Sequence, residues 1–308
     1  MAEADRSFEA RHRHAEVVRR WVQSVPALLL VLVGAVVPLL IVVFYSFLTP
    51  GPYGDVVFQP SGAGWLGVLF EVDIFDESVS LASVHMAVLG RSVKLALITT
   101  LICVVVGLPT AWFIATRPRR TRSVWLFLIT IPFWTNMLIR TFAIQEILRT
   151  EGVLNSALMS IGIIQQPLQI LYTDTAVLIG MLYVFLPLMV LPLYSSLERF
   201  DFRLIEAAFD LYASRWQVVT KIILPLVKPG LIAGSVLVFI PALSTYVIPR
   251  LLGGGKNLMI GNLIELQFGQ ARNWPLGAAL SVTLVVIVGL ALLVVMRRGN
   301  KGLEGSHG

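Results

Sequence analysis

Few residues in this chain could do covalent chemistry, and they stand apart from one another. His85 is the only histidine away from the termini, in an expected external loop, and no nucleophile lies beside it. An intramembrane lipid transferase or protease would need a polar cluster instead. Cys103 is the single cysteine and sits in an apolar run, which excludes an intramolecular disulfide framework and a cysteine-held metal cluster. GGGKN at 253–257 has the glycines and lysine that end a phosphate loop. However, no glycine stands five residues before Gly255, and Asn257 takes the place of the required Ser or Thr. It reads as a glycine-rich loop, and any ATP hydrolysis must be done by another chain.

The stretch that repays attention is EAAFDLYASRWQVVTKIILPLVKPG, residues 206–230. Asp201 can cap a short helix on which Leu204, Ala207, Ala208 and Leu211 form an apolar stripe, with Glu206 and Asp210 on a different face. Ser214 followed three residues later by Gln217 predicts a capping box that opens a second helix, with Trp216, Val219, Ile222 and Ile223 as its apolar face. Leu224-Pro225 is expected to stop that helix and Pro229-Gly230 to start the next segment. Such a helix-turn-helix could simply rest in lipid headgroups. Two carboxylates poorly suit an anionic leaflet, though, while a compact apolar and acidic knob suits a groove on another protein.

The elements that must position this knob belong to a membrane protein. Of 308 residues 56% are hydrophobic and 14% charged, with mean hydropathy +0.81. Globular domains carry about 25% charged residues. Six segments approach the roughly 20 apolar residues needed to cross a bilayer, near 25–48, 92–116, 124–144, 176–197, 231–252 and 276–296. The first is too long for a signal sequence and lacks a cleavage site, so it reads as an uncleaved anchor. The net charge of +6 raises the question of nucleic acid, but the cations fall in blocks. Of 24 Lys and Arg, five lie in the N-terminal tail (1–24), four in 117–123, five in 198–230 and three in the C-terminal tail (297–308). The positive-inside rule therefore places both termini and the 198–230 loop in the cytoplasm. The loops near 49–91, 145–175 and 253–275 are then external and hold nine acids, including Glu71, Asp73, Asp76 and Glu77. The expected architecture is all-α, with a six-span domain over 25–296. None of the six spans has Asp, Glu or His at its centre, which disfavours an ion- or proton-coupled carrier.

Glu206-Ala207-Ala208, followed by Ile223-Leu224-Pro225 and Pro229, resembles the EAA loop of ABC importer permeases. In that family the loop is the cytoplasmic coupling element that docks into a groove of the ATPase subunit. The resemblance implies a type I importer permease fold and ATPase-coupling roles for Glu206, Ala207, Ala208, Asp210, Tyr212, Ser214 and Pro225. The family usually has glycine where this chain has Tyr212. IPFWTNMLIRTFAI (131–144) and IPALSTYVIPRLLGGGKNLMIGNLIELQF (240–268) resemble the permeases of spermidine/putrescine importers. That resemblance implies a bacterial cytoplasmic-membrane location and a second, different permease chain. It also implies two ATPase subunits that use ATP and Mg, and an extracytoplasmic binding protein. No cofactor is implied for this chain, and lipid is its only other partner. Permeases of this type often carry acids within the stretch matching Ser244-Thr245-Tyr246 and where this chain has Arg250. A polycation gains from carboxylates along its path and loses from a guanidinium. The solute is thus a polyamine or a related small organic solute, with a zwitterion or organic anion as the alternative.

Trp134, Asn136 and Arg140 of the third span, Tyr183 of the fourth, and Thr245, Tyr246 and Arg250 of the fifth are candidates for a solute pathway, since aromatic faces beside polar groups suit an amine. Interfacial belts and snorkelling account equally for such residues. Glu265 and Arg272, in an expected external loop, are candidate contacts for a binding protein. Prolines 109, 132, 187, 192 and 241 interrupt four spans. Gly230 and Gly234 form a small-xxx-small pair, suited either to a partner subunit or to internal packing.

Overall fold

A computed structural model describes residues 2–72 and 79–304; Asp73, Asp76 and Glu77 fall outside them. In chain order the elements begin with α1 (Ala2–Tyr45), β1 (Leu48–Pro50), β2 (Val56–Pro60), α2 (Ala63–Leu69), β3 (Phe70–Val72) and β4 (Val79–Leu81). Then come α3 (Ser83–Ala115), α4 (Arg119–Thr130), a 3-10 turn (Ile131–Trp134), α5 (Met137–Leu148), α6 (Val153–Ser160) and α7 (Asp174–Glu198). The last group is α8 (Arg203–Asp210), α9 (Arg215–Val218), a π segment (Val219–Ile223), α10 (Leu224–Ser244), α11 (Val247–Leu252), α12 (Ile260–Phe268) and α13 (Trp274–Glu304).

The core is a bundle of α3, α7 and α10, with α7 at its centre. Apolar on all sides, α7 suits protein neighbours as well as lipid, and α3 and α10 pack on it. Val177, Met181, Met189, Val190, Leu193 and Leu197 are wholly buried along it. Gly230 and Gly234 let α10 lie directly on α7. A methyl at Gly230 would come 2.5 Å from the carbonyl oxygen of Pro192, and one at Gly234 would come 2.7 Å from Met189 Sδ. The small-xxx-small pair therefore serves internal packing. By contrast, the apolar length of α1, Gln23–Tyr45, has no buried residue and touches mainly α13.

Among the described residues, five helical stretches are long and apolar enough to span a membrane: Gln23–Tyr45, Ser83–Ala115, Asp174–Glu198, Arg215–Ser244 and Trp274–Val295. The third expected span, 124–144, is no single helix. Arg119–Trp134 and Met137–Ser160 meet at 95°, and reach six spans only if counted together. Thr135 (φ −95, ψ 147) and Asn136 (φ −59, ψ 137) are extended. Asn136 Oδ1 then accepts a bond from Leu138 N at 2.8 Å and starts α5, so a capping residue inside the apolar run breaks it.

The fifth span also differs from the expected 231–252. Leu224-Pro225 does not stop the preceding helix: Arg215 to Ser244 is continuous, because the π segment widens the winding ahead of the prolines. Leu224 N–H donates to Val219 O, five residues back, and Pro225 then sits at the start of α10, where its missing N–H leaves nothing unmatched. At the other end Thr245 is extended (φ −63, ψ 138), so Val247–Leu252 is a separate helix.

The expected external loops contain regular structure that their polarity concealed. The first holds two antiparallel pairs, β1–β2 and β3–β4, together with α2. His85 lies in the first turn of α3, and Glu265 lies on α12.

Candidate functional site

The helix-turn-helix is built as its residue types dictate. Asp201 Oδ1 accepts from Arg203 N (3.0 Å) at the start of α8. The helix ends with Ala213 N donating to Ala208 O (3.0 Å) and Tyr212 N to Phe209 O (2.9 Å), the paired bonds that close a helix through a left-handed residue. That residue is Tyr212, at φ 59. Ser214 then caps α9 reciprocally: Gln217 N donates to its Oγ (3.3 Å), and Ser214 N donates to Gln217 Oε1 (2.8 Å).

The apolar residues of the element divide between two surfaces. Phe202, Ile205, Ala208, Val218, Ile222 and Ile223 pack on the core, with the Phe202 ring 5.6 Å from that of Trp112 on α3. Of the expected stripe only Ala208 turns inward; Leu204, Ala207 and Leu211 are exposed beside Glu206 and Asp210, and Trp216 is exposed on α9. Neither carboxylate makes an ion pair among the described residues. The result is an exposed apolar and acidic knob. A single turn, residues 211–214, connects it to α9, which runs without interruption through the π segment to α10 in the middle of the bundle.

At the other end of the bundle, α5 packs against α11 and α7, so the elements carrying Arg140, Arg250 and Tyr183 are neighbours. Trp134 and Asn136 lie at the break leading into α5 rather than within a span, and Trp134 is 82% exposed. The Arg140 guanidinium lies 5.7 Å from the centre of the Phe133 ring. Its Nε and Nη1 are buried without a hydrogen-bond partner among the described residues. Thr245, 8% exposed, likewise has a buried Oγ1 without one. Tyr183 and Tyr246 are half-exposed. No hydrogen bond or ion pair joins any of these seven side chains to another among the described residues. Arg250 instead pairs with Glu265, Nη1 to Oε1 at 2.7 Å. Arg272 is at φ 50 in the turn before α13.

The break at Thr245-Tyr246 is held by residues that sequence reading passed over. Asn262 Nδ2 donates to Tyr246 O (2.7 Å), and Gly261 brings its backbone so close that a methyl there would lie 2.5 Å from Ser244 O. Ser92 Oγ accepts from Ile260 N (2.8 Å), tying the start of α12 to α3. No spacing signal links residues so far apart in sequence. The GGGKN run is likewise structural: Asn257 accepts from Arg91 (2.8 Å) and donates to Tyr172 O (2.9 Å), while Arg91 also pairs with Asp174.

Comparison with known proteins gives this geometry its context. Residues 97–299 match the family described as binding-protein-dependent transport system inner membrane component. The spermidine/putrescine transport system permease protein PotB of Escherichia coli (strain K12) is 46% identical over 245 residues, covering 79% of this chain and 88% of that protein. PotB of Haemophilus influenzae is 44% identical over 217 residues, covering 70% and 76%. A chain of a bacterial alginate ABC transporter, crystallised with an alginate pentasaccharide-bound periplasmic protein, shares the fold. Its TM-score is 0.70 at 15% identity, with 91% of this chain and 94% of that chain covered. With a type I ABC importer permease fold, a family match over residues 97–299 and 46% identity to such a relative, the chain belongs to the binding-protein-dependent transport system inner membrane components: it is a multi-pass inner-membrane transport subunit and not an enzyme.

Proposed function

We propose that the chain is the permease subunit of an importer for spermidine, putrescine or a similar polyamine. In this reading it pairs with a second permease and is driven by two copies of a separate ATPase that uses ATP and Mg. The solute is delivered by an extracytoplasmic binding protein. In this reading both termini and the 198–230 element face the cytoplasm, which the distribution of cations supports. The observation that carries the reading is the exposed knob of Glu206, Ala207, Asp210 and Leu211, which one capped turn links to the helix Arg215–Ser244 that runs into the core. Rigid-body movement of a docked ATPase would pass along Arg215–Ser244 to the bundle and alternate access to the pathway. The Arg250–Glu265 pair supports a cationic solute, because the guanidinium that would oppose it is already matched by a carboxylate.

The test is ATPase stimulation of the reconstituted complex by its binding protein loaded with spermidine, putrescine, small zwitterions or organic anions. Stimulation by a polyamine is the expected result. Stimulation by a zwitterion or anion alone would overturn the choice of solute. A complex that ignores every loaded binding protein would overturn the assembly itself.

A further inference from the structure

The surface where α1 and α13 leave the apolar zone carries a pocket that the transport reading does not use. The apolar length of α1 ends at Tyr45 and that of α13 begins at Trp274, and the two rings lie 6.0 Å apart, so the pocket sits at the level of the lipid headgroups. Phe268 meets Trp274 edge-on at 5.8 Å, and Phe58 of β2 forms the outer wall. Asp55 and Arg272 complete the lining of a cavity of about 460 Å³.

An interfacial aromatic belt accounts for the rings alone. It does not account for a carboxylate and a guanidinium that line the same cavity without pairing. The hairpin turn folds through bonds from Gly51 N to Asp55 O (2.9 Å) and from Gly54 N to Gly51 O (3.3 Å). Gly54, at φ 80, lies under Arg272 so closely that a methyl there would be 2.6 Å from Arg272 Cβ. Two turns distant in sequence thus bring opposite charges into the lining of one cavity. Even so, neither Asp55 nor Arg272 makes an ion pair or side-chain hydrogen bond among the described residues.

We propose that this pocket binds the headgroup of a zwitterionic aminophospholipid, with its ammonium on Asp55 and the aromatic faces and its phosphate on Arg272. Aromatic faces attract an ammonium through the ring quadrupole, and guanidinium matches phosphate with two parallel bonds. A polycation would meet the Arg272 charge, and a purely anionic headgroup would meet Asp55. Only a ligand carrying both signs satisfies both. The depth of the pocket, at the ends of two spans, selects a lipid over a soluble compound with the same groups.

Native mass spectrometry of the full-length chain in detergent tests this, with phosphatidylethanolamine, phosphatidylglycerol and free phosphoethanolamine as probes. Phosphatidylethanolamine is expected to bind in preference to phosphatidylglycerol. Asp55→Asn should lower its affinity roughly fivefold, the upper end for an accessible ionic contact, and Arg272→Gln should do the same. Phe58→Leu, on the exposed rim, supplies a further variant that leaves the charged turn intact and should weaken the lipid about threefold, as loss of one modest cation–π contact requires. Equal binding of the two lipids, or phosphatidylethanolamine affinity unchanged by all three substitutions, would overturn the proposal. Free phosphoethanolamine binding as tightly as the lipid would overturn the lipid assignment and leave a soluble ligand of the same chemistry. None of these readings depends on transport activity.

Discussion

Tyr212 occupies the left-handed position that ends α8, where a side chain costs about 1 kcal/mol and where glycine or asparagine is the usual choice. It is 98% exposed, so the fold gains no burial in return. Tyr212→Asn is therefore expected to raise the stability of the purified chain by about 1 kcal/mol, and Tyr212→Val to lower it by at least as much, in thermal or denaturant unfolding. If Tyr212→Asn instead impairs only ATPase stimulation, the tyrosine is retained for its partner. Gly230→Ala probes the α7–α10 contact: the carbonyl of Pro192 cannot move aside as a flexible side chain would. A loss of about 1–3 kcal/mol follows. At Arg250 the expected effect is on transport. Glu265→Gln leaves the guanidinium unmatched, so the KM for a polyamine should rise about two- to fivefold, as suits an exposed pair, while kcat stays. The capping box at Ser214 was legible because it is a local pattern of residue types, whereas the left-handed turn at Tyr212 was indicated only by the glycine that the resembled family carries there. The Arg250–Glu265 pair and the Ser92, Gly261 and Asn262 contacts were not, since only the folded chain brings them together.

At the scale of elements, the same distinction explains which spans were read correctly. Helices α3 and α7 keep an unbroken apolar run and were recognised, although α3 begins at Ser83, some nine residues early, because a polar first turn does not register as membrane helix. The runs around 124–144 and 231–252 are apolar on average but contain Asn136 and Thr245, whose extended backbones end one helix and start the next. Average hydropathy does not see a cap. Asn136→Ala should cost about 1 kcal/mol, expressed locally as faster amide exchange through the first turn of α5. The π segment makes a sharper prediction. One residue more than an α-helix needs is wound into Val219–Ile223, so deleting Thr220 should restore α geometry and rotate α8 by about 100° relative to α10. The core face of α10 would be kept and the knob re-aimed. Membrane insertion should survive the deletion, stability should fall as Phe202, Ile205 and Ala208 leave the core, and stimulation of the ATPase should be lost; retained stimulation would mean that the π turn has no mechanical part.

Across the whole molecule, composition sufficed to establish the bilayer, and the blocks of cations predict which face is cytoplasmic, because both are averages over many residues. How the pieces carry force is a question of connection. The knob is joined to the core by the Tyr212 turn into the continuous helix Arg215–Ser244 and by the Phe202–Trp112 contact to α3, so a push on α8 has two routes into the bundle. The knob itself carries no internal ion pair, and its two carboxylates face outward. Glu206→Lys should therefore leave insertion and stability unchanged, since nothing in the chain loses a partner. It should reverse the charge offered to the ATPase, so that ATP hydrolysis and solute uptake become uncoupled in proteoliposomes. Normal uptake in this variant would remove Glu206 from the docking surface, whereas a misfolded variant would mean that its role is internal after all. Measuring uptake and melting on the same preparation separates the two, because a docking residue moves the first without the second.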